Sequence, residues 1–171
     1  AQLFTREHYD AIAENLGHAD TGVRREVLEF FRNHLARLVD AQLFTREHYD
    51  AIAENLGHKD DGVHRKVLGF FRNHLVELMD AKLFTREHCG AIAENLGHKD
   101  DGVRREALEF FYEHLGLLLE SELLKRNSKL FNVLIYLQTR SVMSGQVEEL
   151  ATQAARVGTT MSPHIGLGSG V

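Results

Sequence analysis

Tryptophan is absent from the 171 residues, and cysteine and proline occur once each. The lone cysteine, Cys89, excludes an internal disulfide framework and fits a reducing compartment such as the cytoplasm. Long apolar runs are also missing. The longest, Leu130 to Leu137, is interrupted by Asn132 and falls far short of the roughly 20 residues that a membrane-spanning helix needs, so no membrane insertion is expected. Neither charge sign dominates, and a net charge of -5 steers the chain toward neither nucleic acid nor an anionic membrane. No start methionine, charged leader or apolar signal stretch opens the sequence, so Ala1 is expected to be a cut or processed end that further repeats could precede. Nucleophile-elbow, Walker A, H-E-x-x-H and dinucleotide-glycine motifs are all lacking, so no catalytic residue, metal ligand or cofactor is expected.

What fills the first 120 residues is a 40-residue unit present three times without insertion. The copies open Ala1-Gln2-Leu3-Phe4-Thr5-Arg6-Glu7-His8, Ala41-Gln42-Leu43-Phe44-Thr45-Arg46-Glu47-His48 and Ala81-Lys82-Leu83-Phe84-Thr85-Arg86-Glu87-His88. The first two copies agree at 32 of 40 positions. A period of this size predicts a stacked helical array, which presents a surface to a partner.

Within one unit, Thr5 precedes apolar residues at Tyr9, Ile12, Ala13 and Leu16, the spacing of one helical face. Thr5 is therefore the expected N-cap, and Phe4 with Tyr9 the hydrophobic staple. Gly17 is expected to take the left-handed conformation that stops this helix, which would run about from Arg6 to Leu16. A short loop leads to a longer helix whose broad apolar face comprises Val23, Val27, Phe30, Phe31, Leu35 and Leu38. Arg25, Glu26, Glu29, Arg32, Asn33 and Arg37 lie opposite, and His34 falls inside the apolar arc. The short link to the next cap, Thr45, allows only an antiparallel return. The predicted fold is all-α: an α-solenoid of three helical hairpins, 1–40, 41–80 and 81–120.

From Ser121 the pattern degenerates but keeps register, with Leu123-Leu124 in the places of Leu3-Phe4 and Lys125 in that of the capping threonine. Residues 121–157 are expected to form a degenerate helical capping unit. It would hold one helix from Glu122 to about Arg140 and another from Gln146 to Val157, capped by Ser144 and stopped by Gly158. Residues 158–171, rich in glycine and serine and including Pro163, lack a periodic apolar face and are expected to be a flexible tail.

The run Asp101-Gly102-Val103-Arg104-Arg105-Glu106-Ala107-Leu108, followed by Leu115, resembles the second helix of a HEAT repeat, with its acidic residue, Val-Arg, then Ala and Leu. His64 stands in place of that arginine in the second copy, and Val27 and Val67 in place of the alanine. Leu3-Phe4-Thr5 through Tyr9-Asp10-Ala11-Ile12 is similar to the short helical repeats, Leu-Leu-Thr followed by Phe-x-Ala-Ile, that occur in tandem in effector proteins of intracellular bacteria. Both resemblances cover residues 1–120 and imply a protein-binding solenoid, acting in the host cytosol if it is an effector.

Eleven histidines invite a metal reading, but nine form three ladders: His8, His48, His88; His18, His58, His98; His34, His74, His114. Stacked helices lie about 8–10 Å apart, too far for ladder neighbours to share an ion held at about 2 Å. His34 and its copies are expected to be hydrogen-bonded core residues. The loops Lys59-Asp60-Asp61-Gly62 and Lys99-Asp100-Asp101-Gly102 lack the alternating oxygens of a calcium loop and are expected to cap helices. Cys89 is expected to be a packed thiol.

Charge is the more informative signal. Glu7, Asp10 and Glu14 recur as Glu47, Asp50, Glu54, Glu87 and Glu94, an acidic ridge on the first helix of each hairpin. Arg25, Arg65, Arg105, Arg32 and Arg72 form a basic ridge on the second, facing away from the expected core, where arginine offers a planar fork for carboxylates or phosphates. Copies differ at outward positions such as Glu29/Gly69/Glu109, while core positions hardly vary. The candidate binding residues are thus Arg25, Arg65, Arg105, Arg32 and Arg72, with Glu29 and Glu109. The expected function is a non-enzymatic scaffold for a protein or peptide partner. Nucleic-acid binding and self-assembly through the open face of the first copy are the alternatives.

Overall fold

Thr5, Thr45 and Thr85 each sit in extended backbone immediately before a helix, as N-caps. The computed structural model describes residues 4–126 and 128–140, and its regular structure there is entirely helical. The elements are α1 (Arg6–Glu14), α2 (Thr21–Asp40), α3 (Arg46–Glu54), α4 (Asp61–Asp80), α5 (Arg86–Glu94), α6 (Asp101–Glu120) and α7 (129–140). By contacts the chain divides into Ala1–Phe131 and Asn132–Val171. The first unit holds all three copies together with residues 121–131. In the second, residues 132–140 continue α7. The helix expected at 146–157, its cap Ser144 and stop Gly158, and the tail 158–171 lie outside the described residues.

Each of the short helices α1, α3 and α5 tightens into a single 3₁₀ turn, Asn15–Gly17, Asn55–Gly57 and Asn95–Gly97, before the chain straightens. The left-handed stop expected at Gly17 does not form, since no described glycine has a positive φ. The 3₁₀ turn instead lets the next residue, His18, leave in extended backbone.

The left-handed positions fall after the long helices, at Gln42 (φ 58°), Lys82 (φ 56°) and Glu122 (φ 59°). There the Gln42 amide donates to Val39 O at 2.9 Å and the Leu43 amide to Leu38 O at 2.8 Å, the paired reversal that closes a helix end. Lys82 and Leu83 repeat it on Met79 and Leu78. Glu122 plays the same part after α6, donating to Leu119 O at 3.3 Å. This is why the helix expected from Glu122 does not begin there. Ser128 takes over as cap, its Oγ accepting from the Phe131 amide at 3.2 Å, and α7 follows.

The long helices pack successively, α2 on α4 and α4 on α6, more extensively than α1 packs on α3. Between them lies the core, with Leu28, Phe31, Leu35, Val67, Leu68, Phe70, Phe71, Leu75, Ala107, Phe110 and Phe111 buried. Burying each large side chain is worth about 1.5–3 kcal/mol. Leu28 and Leu68, outside the face assigned from sequence, are fully buried because each long helix is packed on two sides.

Candidate functional site

All three histidine ladders have structural work in this fold. In the first, Nδ1 of His8, His48 and His88 accepts the main-chain N–H of Thr5, Thr45 and Thr85 at 3.1, 3.2 and 3.1 Å, completing a capping box in which histidine stands where glutamate is usual. The proton then sits on Nε2, and His48 uses it to donate to Asp10 Oδ1 of the preceding copy at 2.7 Å. In the second ladder, Nδ1 of His18, His58 and His98 accepts the N–H of Asp20, Asp60 and Asp100 at 3.0, 3.0 and 3.1 Å. Those aspartates cap α2, α4 and α6. Amides at the helix starts, Val63 and Val103 foremost, hold the Asp60 and Asp100 carboxyls below the usual range. In the third, Nε2 of His74 and His114 donates to the main-chain oxygens of Arg32 and Arg72, at 2.6 and 2.7 Å.

The basic ridge is taken up in part, at Arg32 and Arg72. Arg32 pairs with Glu29 on its own helix, and Lys66 of α4 reaches Glu29 at 2.7 Å. That lysine bond, with Arg32 beside it, lowers the Glu29 pKa. Arg72 binds three carboxylates of α6: Glu109, Glu106 at 3.0 Å and Glu113 at 3.8 Å. Arg32 and Arg72 were expected to face outward. They lie instead half-buried between long helices, because those helices pack side by side.

Arg25 and Arg65 are exposed, but each lies across the start of the next long helix. A methyl group at Gly62 would stand 3.0 Å from Arg25 Cδ, and one at Gly102 3.0 Å from Arg65 Cδ. Arg65 is also 3.9 Å from Asp100. Arg105 is exposed and makes no ion pair among the described residues.

The acidic ridge is where charge stands open. Glu7, Asp10, Glu14, Glu47, Asp50, Glu54, Glu87 and Glu94 are all exposed. Among the described residues only Asp10, with His48, and Asp50, with Arg46 at 3.0 Å, form ion pairs. Between α1 and α3 a cleft of about 380 Å³ is lined by Arg6, Asp10, Glu14, Glu47, His48 and neighbouring alanines.

His64, standing where the other copies have arginine, is buried beside His98, ring centroids 4.9 Å apart. Among the described residues neither of its ring nitrogens makes a well-formed hydrogen bond, though the Leu56 main chain beside the ring favours its protonated form. Arg24 at the equivalent place donates to Asn55 Oδ1 at 3.1 Å and Gly17 O at 3.0 Å. Among the described residues no three His, Cys, Asp or Glu side chains converge to hold a metal ion. Cys89 is buried, and burial pushes its thiol up to about 11, which favours the protonated form at neutral pH. No described helix is long and apolar enough to cross a membrane.

Compared with known proteins, the chain matches no family model, no curated protein and no solved structure.

Proposed function

We propose that the chain is a non-enzymatic α-solenoid scaffold: three 40-residue helical hairpins, with a degenerate unit after them, that offer the outer row of α1, α3 and α5 to a protein or peptide partner. One observation carries this reading. Between the long helices Lys66 pairs with Glu29 and Arg72 with Glu106, while the short helices repeat exposed carboxylates at the same places. A row of carboxylates at a fixed interval suits a basic segment that runs across the hairpins, and it opposes the phosphates of a nucleic acid. This moves the binding surface from the arginines of the long helices to the glutamates of the short ones.

Titration calorimetry with an arginine-rich peptide tests it. The peptide is expected to bind the full chain and to weaken as salt rises, because exposed pairs are screened. The triple variant Glu14→Lys, Glu54→Lys, Glu94→Lys is expected to lose that binding. No binding at low salt, or equal binding to the triple variant, would sink the proposal.

A further inference from the structure

The two junctions between copies differ at a buried position. Between the first and second copies Arg24 lays its guanidinium in the seam, donating to Gly17 O at 3.0 Å, to Asn55 Oδ1 at 3.1 Å and to His18 O. At the same register in the second copy stands His64, 6% exposed, whose shorter side chain makes no bond to the equivalent oxygens, Gly57 O, Asn95 Oδ1 and His58 O. Among the described residues no side chain donates to any of the three. The space left is a pocket of about 380 Å³ between α3, α4 and α5.

The lining selects the occupant. Ala53, Leu56 and Ala91 give the pocket apolar walls suited to an aliphatic stem. Gly57, His64, Asn95 and His98 bring polar groups to it. Glu94, the one carboxylate in the lining, is exposed and forms no ion pair among the described residues. Burial keeps His64 neutral at neutral pH, so its ring adds a lone pair and no positive charge. His98 accepts the Asp100 amide at Nδ1, 3.1 Å away, and Asp61 stands 3.9 Å from its Nε2, a second carboxylate on that side. Lys59, Lys99 and Arg104, the cations of the adjoining loops, do not line the pocket. An anion would meet Glu94, and among the described residues no three His, Cys, Asp or Glu side chains converge on a metal ion. A planar cation with several N–H donors suits the set, and Arg24 shows that pairing one copy earlier.

We propose that this pocket is a guanidinium site: the side chain of a partner's arginine enters between α3 and α5, takes the place that Arg24 fills at the first junction, and donates to Gly57 O and Asn95 Oδ1 beside Glu94. That the arginine comes from a peptide rests on the carboxylate row proposed above, whereas the affinity of the pocket for the group does not.

The probe is ethylguanidinium at millimolar concentration, too dilute to denature, titrated into the full chain while the ring protons of His64 and His98 are followed by NMR. A saturable shift is expected. His64→Arg supplies its own guanidinium, as the first copy does, and with helicity checked by circular dichroism it is expected to weaken binding at least about tenfold, read at His98. Glu94→Gln, an exposed change, is expected to weaken it about threefold. Ethylammonium, with the charge but no planar fork, is expected to bind about tenfold more weakly than ethylguanidinium. No saturable shift, equal binding of ethylammonium, or unchanged binding to His64→Arg overturns the proposal. The arginine-rich peptide separates this site from the carboxylate row. Equal affinity for the parent and His64→Arg overturns the pocket as the arginine's seat and leaves the row standing. Ethylguanidinium binding that His64→Arg abolishes, with no peptide bound, upholds the pocket and sinks the row.

Discussion

His74 on α4 donates from Nε2 to the main-chain oxygen of Arg32 on α2 at 2.6 Å, a side-chain bond between two long helices that each already have their own backbone ladder. His114 makes the same bond to Arg72 one copy later, and His34 has no helix before it to receive one among the described residues. The three histidines are therefore equivalent in sequence and unequal in energy. His74→Ala is expected to cost about 1–3 kcal/mol, from the lost bond and the lost contact with Phe70. His34→Ala is expected to cost under about 1 kcal/mol. Urea denaturation of the two variants checks this, and equal losses would mean that the bond between helices contributes nothing.

Arg72 gathers Glu106, Glu109 and Glu113, with its side chain about a quarter exposed, 23%. Arg72→Met keeps the stem and removes the charge, leaving three carboxylates side by side. A loss of about 1–2 kcal/mol is expected, discounted from the cost of breaking a fully buried pair because water reaches this one. Added salt should narrow the gap to the parent by screening the carboxylates. Arg105→Met, at the same register as Arg65 but unpaired, is expected to stay within about 0.5 kcal/mol of the parent. A salt-independent loss at position 72 would assign its role to packing.

Local structure was more legible in the sequence than its use between copies. Thr5, Thr45 and Thr85 are caps, and the long helices start at their aspartates, because capping needs only neighbours within one turn. Gly17 misled, since a glycine permits a left-handed stop without requiring one. The left-handed residues, Gln42 and Lys82, are set by the reversal that must fit between Asp40 and Thr45 or Asp80 and Thr85. Arg32 and Arg72 looked free because a helical wheel shows one helix. Glu106, which holds Arg72, and Lys66, which shares Glu29 with Arg32, lie on the next copy. The capping histidines could have been found from the sequence, since a histidine follows each capping threonine by three residues.

Two helix-interior glycines are expected to be improvable. Gly90 in α5 and Gly116 in α6 are exposed, and nothing lies within 4 Å of where a Cβ would stand. Gly90→Ala and Gly116→Ala should each stabilise by about 0.5–1 kcal/mol through helix propensity and a less flexible unfolded chain, and add when combined. Gly102→Ala is the contrast, because its Cβ would meet Arg65 Nη1 at 2.9 Å and Asp100 Oδ1 at 3.0 Å, so no gain is expected there. Thermal melts of the three single variants separate the cases. A gain at Gly102 equal to that at Gly90 would show that Arg65 moves aside freely.

His64 is expected to make stability depend on pH. Burial, with His98 beside it as the next cause, holds its pKa below the ordinary 6.5. Asp61 faces the same pair, its Oδ1 3.9 Å from His98 Nε2, and pulls the other way on His64. Because the folded value is depressed, the unfolded chain takes up the proton first as pH falls. The contribution of neutral His64 is thus complete above about 6.5 and is lost as pH drops from there through the folded value. His58 and His88 are also lowered, mainly by burial, and act in the same direction. His64→Arg restores the residue of the other two copies. Arg104, its equivalent, donates to the main-chain oxygen of Lys99 at 2.9 Å. The variant should be more stable than the parent and should lose less stability between about pH 7 and pH 5, with the residual slope coming from His58 and His88. Denaturation midpoints at the two pH values decide it: an unchanged slope would remove His64 as the source, and a steeper one would reverse the sign argued here.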